Sequence, residues 1–382
     1  MTRVLELLVS LLIVAVLIVV VGALLPNHGH VEREVEVSSP LRQIFDSVNT
    51  LRRFPEWSPE RRLDPQLRME YEGPRTGVGA TVNWSGDESV GKGSVKIISS
   101  EEDSQVKMEV VNNFAGENKT YTITLNPSEN GKTTRIVWAY DVDYGWDLAW
   151  RYAGLYIHGK PDATVQTAVA NVANMLASFP NVDYKDQDIQ EVEVVGVPVL
   201  VLSTKAPRTL DEVEDATYTS IARIEAVMTK YGLTQAGPVR TVTTNWGDDN
   251  YVFDVSIPVD STTFMLDGTE YTINAPVLSD TVEDILEEED AAPLMLGDYD
   301  EDGYLIIEDG VRAKISYSGH ALVTEYSGSP AALPLLRLQL KAFSETHGYL
   351  YSEMGGGRFW DEVIETTEDG EQTFKVTLPV EP

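Results

Sequence analysis

The chain has 382 residues, 61 Asp and Glu against 29 Lys and Arg, a formal net charge of −32, and no cysteine. That length accommodates two domains with full-sized cores, and the missing cysteine excludes disulfides, thiolate metal sites, cysteine nucleophiles and cysteine-anchored lipoproteins. So acidic a chain is a poor partner for nucleic acid, whose phosphates are held by clustered Lys and Arg.

The N-terminus reads MTRVLELLVSLLIVAVLIVVVGALLP, and from Leu7 to Leu25 every residue is apolar, Ser or Gly. Roughly 20 such residues cross a bilayer, so residues 4–25 are predicted to be a transmembrane helix, a signal anchor. Arg3 lies before it, and Glu32, Glu34 and Glu36 follow. Positive charge stays inside, which puts the N-terminus in the cytoplasm and the folded part on the periplasmic or cell-surface side. A cleaved signal peptide is the competing reading, because Val21-Gly22-Ala23 resembles a small-residue cleavage site. The apolar run is longer than the roughly 7–15 residues of a signal core, which favours the anchor.

Residues 26–30 read as a linker, and 31–180 as an α+β module. VEREVEV (31–37) alternates as a strand does, and SSPLRQIFDSV then reads as a helix with Ser38 or Ser39 as N-cap and Pro40 in its first turn. Short strand-like runs between turn residues fill 69–140 (ATVNW, GSVKII, VKMEVV, TYTITL, TRIVWAYDV). In TVQTAVANVANMLASF (164–179), Val165, Val169, Val172, Leu176 and Phe179 share one helical face. This order of elements predicts a sheet wrapped around a helix.

With Pro40 and Phe45 after the first strand, LRRFPEWSP (51–59), YEGPRTGVGATVNWSG (71–86), Gly91 with Gly93 and the closing helix, this module resembles the START-like superfamily. That superfamily, also called SRPBCC, includes polyketide cyclase/dehydrase-like proteins. The resemblance implies a helix-grip fold with an apolar cavity between the sheet and the C-terminal helix.

An internal repeat organises the remainder. IARIEAVMTKYGL (221–233) followed by YVFDVSIPVD (251–260) is echoed by LLRLQLKAFSETHGYL (335–350) followed by QTFKVTLPVE (372–381). Phe253 matches Phe374, Pro258 matches Pro379, Val259 matches Val380 and Gly232 matches Gly348. Each half reads as strand, helix, then strands ending in a Pro-Val tail, with repeats at about 190–260 and 311–382 and an acidic insertion at about 279–310. The duplicated unit over 188–382 resembles the gyrase-inhibitor-like, or AraC-type effector-binding, domain. In that family the two halves bind small molecules in the groove between them, and the acid of a Trp-Glu-x-Tyr-type segment faces cationic ligands. Here the segment is Trp360-Asp361-Glu362-Val363, with Val363 in place of the aromatic. The family's DNA-binding helix-turn-helix is replaced by the anchor and the first module.

Charge divides along the same boundary: residues 1–180 carry 17 basic and 22 acidic side chains, residues 181–382 carry 12 and 39. From Thr241 to Val311 there are 19 carboxylates and no Lys or Arg. Within that stretch, Asp298, Asp300 and Asp302 alternate before Gly303, with Tyr304 at position 7 and Asp309 at position 12 of a calcium-type loop. Alternating carboxylates on a tight turn can aim oxygens at one hard cation, so Ca2+ is the metal this segment fits; a solvated acidic loop is the competing reading. No other cofactor is expected.

Catalytic patterns are missing. The five histidines form no HExxH, and there is no GxSxG. Gly86 to Gly93 nearly spells a phosphate loop, but Gly93 stands where the magnesium-binding hydroxyl belongs, and Asp87 and Glu88 would repel phosphate. A glycine-turn hairpin fits better. Trp84 and Trp138 are the predicted cavity-lining aromatics of the first module, and Trp360 with Asp361 and Glu362 the predicted ligand-facing group of the second. The expectation is a membrane-anchored binding protein for small apolar, amphipathic or cationic molecules. A hydrolase or cyclase built on the same cavities, and a calcium-binding acidic envelope scaffold, are the alternatives.

Overall fold

The computed structural model describes the chain except residues 1, 89, 247–248, 274–294, 301–302, 309, 352–357 and 382. Two compact units form, one of Met1–Lys185 with Glu345–Gly348, the other of Asp186–Ser344 with Tyr349–Pro382. Both mix helix with antiparallel sheet.

The first unit opens with helix α1 (Thr2–Leu24), which is apolar, exposed along its length, and long enough to cross a membrane. Strand β1 (His28–Val37) follows, then α2 (Leu41–Asn49), two short helices α3 (Phe54–Trp57) and α4 (Pro59–Leu63), and strands β2 (Arg68–Glu72), β3 (Thr81–Ser85), β4 (Lys92–Glu101), β5 (Gln105–Val111), β6 (Glu117–Pro127) and β7 (Thr134–Asp143). Helices α5 (Leu148–Gly154) and α6 (Lys160–Ser178) complete the unit. The seven strands form one antiparallel sheet in the order β1-β7-β6-β5-β4-β3-β2, so consecutive hairpins build a meander and β1 closes beside β7. α6 packs on β1, β7 and α3. Its predicted face is its buried face: Val165, Val169, Val172 and Leu176 are all in the core, with Phe179 just beyond.

Two local readings need correction. Residues 28–30 are not linker, because β7 extends to Asp143 and pairs with β1 back to His28. Neither Ser38 nor Ser39 caps α2; Pro40 holds the cap position with no side-chain bond, and its fixed φ starts the helix instead. Pro161 lies inside the first turn of α6, where its missing N–H costs nothing.

The second unit contains β8 (Gln190–Val194), β9 (Pro198–Pro207), α7 (Leu210–Tyr231), β10 (Arg240–Trp246), β11 (Asn250–Pro258), the hairpin β12 (Thr263–Leu266) and β13 (Thr269–Thr272), β14 (Leu305–Glu308), β15 (Val311–Ile315), β16 (Gly319–Ser327), α8 (Leu333–His347), β17 (Trp360–Thr366) and β18 (Gln372–Pro379). Nine of these strands form one sheet in the order β14-β15-β9-β11-β10-β17-β18-β16-β8. The run β9-α7-β10-β11 and the run β16-α8-β17-β18 each place their strands first, third, second, and the two triplets meet where β10 pairs with β17. The correspondence extends to single bonds. Val259 N–H, just after Pro258, donates to Pro198 O, and Val380 N–H, just after Pro379, donates to His320 O; both bonds are 2.9 Å. Gly232 and Gly348 end α7 and α8 with φ of 70° and 72°, the left-handed conformation glycine adopts most cheaply.

Candidate functional site

The aromatic centre of the first unit is built by three elements. α3 and α4 form a break-and-restart: Pro55 and Pro59 sit in the first turns, and the Ser58 hydroxyl accepts the Glu60 N–H at 3.2 Å as α4's N-cap. This turns Phe54 and Trp57 inward and leaves Glu60 at the rim. From α6, Asn171 donates to Trp57 O at 3.3 Å and accepts from Arg62 at 3.3 Å, tying the turn to the long helix. The sheet supplies Trp84 from β3, Tyr121 from β6 and Trp138 from β7. Trp84 needs its partner across the ladder to be glycine: a Cβ on Gly93 would lie 2.2 Å from its ring.

The rings pack mostly edge to face. Trp57 and Trp138 have centroids 5.1 Å apart at 67°, Tyr121 and Trp138 5.6 Å apart at 77°, and Phe54 stacks on Trp84 at 5.4 Å. The enclosed cavity among Phe54, Trp57, Glu60, Trp84, Tyr121 and Trp138 is about 10 Å³, scarcely enough for one water. At this place between the sheet and α6, the ring cluster occupies most of the space. Two of the rings that border the cavity carry unspent donors: the indole N–H groups of Trp57 and Trp138 are buried with no hydrogen-bond partner among the described residues. A buried polar group without a partner is costly, and two on rings in contact with each other call for an acceptor. Burial, reinforced by the charge of Glu60, pushes the Tyr121 hydroxyl well above its ordinary pKa, so it too stays a neutral donor.

In the second unit, Trp360, Asp361 and Glu362 lie where β17 pairs with β10: Val242 faces Trp360, Thr241 faces Asp361 and Arg240 faces Glu362. Strand alternation separates the three. Trp360 and Glu362 share one side with Arg240, which bonds Glu362 at 2.6 Å and lies 5.8 Å from the Trp360 ring. Asp361, on the other side, forms an ion pair with Arg337 of α8, whose guanidinium also reaches Tyr251 Oη at 3.4 Å. All three residues are buried. The acids expected to face a cationic ligand thus already hold internal guanidinium groups, and a ligand cation would have to displace one. The Asp361 charge pushes the Arg337 guanidinium higher still, against the opposing effect of burial.

The acidic loop is only partly described: Asp302 and Asp309 lie outside the described residues. Asp300 accepts the Tyr304 N–H at 2.7 Å and pairs with Arg312 at 3.0 Å, Asp298 accepts the Met295 N–H at 2.7 Å, and Tyr304 O takes the Asp300 N–H at 2.9 Å. These oxygens serve a hairpin. Among the described residues no group of three or more His, Asp and Glu is arranged to hold a metal ion. The Gly86–Gly93 segment is a hairpin turn, closed by Gly86 N–H to Gly91 O at 2.9 Å.

Trp84 and Trp138 are the cavity-lining aromatics the sequence predicts; it does not point to Phe54, Trp57, Glu60 and Tyr121 as their partners. The signal for Trp57 and Glu60 is the Pro-x-x-Ser-Pro spacing of 55–59, which ends one helical turn and starts another.

No family model and no curated protein matches the chain. Solved structures are similar over parts of it. Norcoclaurine synthase from Thalictrum flavum is 12% identical over 40% of this chain and 87% of its own, with a TM-score of 0.32. A protein from Thermobifida fusca is 17% identical over 39% of this chain and 93% of its own, at 0.29. The EcmrR C-terminal domain is 14% identical over 51% of this chain and 98% of its own, at 0.34.

Proposed function

We propose that the chain is a membrane-anchored binding protein, with α1 crossing the membrane from a cytoplasmic N-terminus and both units outside. In this reading the first unit is a START-like module whose aromatic centre takes a small amphipathic molecule. One observation carries it: the unspent, buried N–H donors of Trp57 and Trp138, two rings that border one aromatic cavity. The ligand would supply an uncharged acceptor to these donors and an apolar or cationic body to the ring faces, where Glu60 adds negative charge. Because the free cavity is about 10 Å³, entry requires the rings to part, and α3–α4 is the element whose displacement would open it.

The second unit, in this reading, is a duplicated effector-binding module. The matched strand order of its two triplets supports that. Its buried Arg337–Asp361 pair acts as a structural tie between helix and sheet. The acidic loop binds Ca2+ only if Asp302 and Asp309 add oxygens beside Asp298 and Asp300.

Native mass spectrometry of the full chain, released gently from lipid nanodiscs, tests the binding reading. A co-purifying small molecule is expected, with its occupancy reduced in the Trp57→Phe/Trp138→Phe variant. A bare protein mass, together with no thermal shift from amphipathic amines or amides, would overturn it.

A further inference from the structure

The segment between β7 and α6 holds a second feature, at the end of the membrane helix. Trp146, Leu155 and Tyr156 are 82%, 59% and 76% exposed, an unusual concentration of bare apolar and aromatic surface in eleven residues of sequence. The same segment grips α1. Arg151, buried, donates to Ala23 O at 2.8 Å and Leu25 O at 3.2 Å, closing the carbonyls that a helix C-terminus leaves open. Tyr152 Oη donates to Ile18 O at 2.7 Å. Gly22 permits this approach, since a Cβ there would lie 3.0 Å from the Tyr152 ring and 3.2 Å from Leu148. Arg151 also lies under Trp146, 4.7 Å from its centroid, and bonds Gly145 O at 2.8 Å.

At 1.5 Å per residue, the Tyr152 bond at Ile18 is about 9 Å below Leu24 along the helix. The headgroup layer of one leaflet is only about 5–7 Å deep. Whatever packs at that level beside a spanning helix enters the layer. Trp and Tyr are the residues that favour it, with an apolar ring and a polar edge.

We propose that Trp146, Leu155 and Tyr156 form an aromatic belt seated in the headgroup and upper acyl region of the outer leaflet, holding the first unit against the bilayer. The proposal rests on α1 spanning the membrane. The occupant is the lipid interface itself, and continuity with α1 is what identifies it. The charged neighbours fit a zwitterionic surface: Asp147 is engaged as the α5 N-cap, while His158 and Lys160 lie exposed alongside.

The chain has no native cysteine, so one introduced cysteine gives one nitroxide label. Full-length Trp146→Cys, Leu155→Cys and Tyr156→Cys variants in phosphatidylcholine nanodiscs are compared by electron paramagnetic resonance with Val14→Cys, in mid-α1, and Asn130→Cys, in the β6–β7 turn at the far end of β1. Collision with a water-soluble nickel chelate is expected to be several-fold lower at 146, 155 and 156 than at 130, with oxygen collision raised. Labels at those three positions as water-accessible as the one at 130, with the label at 14 lipid-buried, would overturn the belt alone. A water-accessible label at 14 would remove the spanning helix and the belt with it.

Discussion

Tyr121 shows how much one side chain's surroundings decide. Burial raises its hydroxyl pKa, and Glu60 adds to the effect; burial likewise raises that of Tyr140. A group whose folded pKa lies above its unfolded value near 10 contributes its full stability below pH 10 and loses it as pH rises toward the folded value. Unfolding free energy should therefore fall between pH 10 and 12, by up to about 1.4 kcal/mol per pH unit for each such tyrosine. In Tyr121→Phe that slope should be shallower by one tyrosine's share, read from urea midpoints across this range in micelles; an unchanged slope would mean that Tyr121 ionises freely. Sequence made Trp84 and Trp138 legible because tryptophan is rare and bulky. It did not show that Trp57 would pack edge-on against Trp138, because that contact joins α3 to β7 across 81 positions of sequence. Nor did Asp361 announce its partner, since Arg337 reaches it only through the docking of α8 on the sheet.

At the level of elements, the pattern with a strong period was readable and the pattern set by docking was not. α6 showed its face in five apolar positions, and the two triplets of the nine-stranded sheet follow residues that already matched in pairs. Helix α5 has only seven residues, and its sequence has too little period to reveal that α1 would be its neighbour. Gly232 tests the helix ends. Its φ is 70° and a Cβ there would meet nothing within 4 Å, so Gly232→Ala isolates backbone strain from clash. A loss of about 1–2 kcal/mol is expected, measured as a lower urea midpoint with an unchanged slope. A neutral result would show that α7 can end without the left-handed turn.

For the whole molecule, the net charge of −32 is a property of its second part, where residues 181–382 carry 39 acidic and 12 basic side chains. Raising salt from 10 mM to 1 M shortens the screening length from about 30 Å to about 3 Å, which should relieve repulsion among these carboxylates. The melting transition of the second unit should rise with sodium chloride while that of the first moves less. A falling or flat transition in the second unit would mean that its surface pairs, such as Lys230 with Glu308 at 2.5 Å, outweigh the repulsion. Calcium at millimolar concentration, added at constant ionic strength, separates specific binding from screening.

The arginine closure at the end of α1 sets what kind of connection this helix makes. Arg151 fastens Ala23 and Leu25 to the folded unit, and only three residues separate α1 from β1. Cutting the chain after Ala23 would remove one of that arginine's acceptors and expose the α5 surface that α1 covers. Helix α1 is therefore joined to the folded unit as a stem rather than a leash. Along β1, Arg33 is five residues from His28 and pairs with Trp138, which places that indole about 17 Å along the strand from the stem. With α1 spanning a bilayer as proposed, a ligand drawn from it would have to cover that distance to reach the rings, whereas one arriving through water would not. In that proposed state the reach of the stem would make desorption from lipid a separate kinetic step for any membrane-derived ligand.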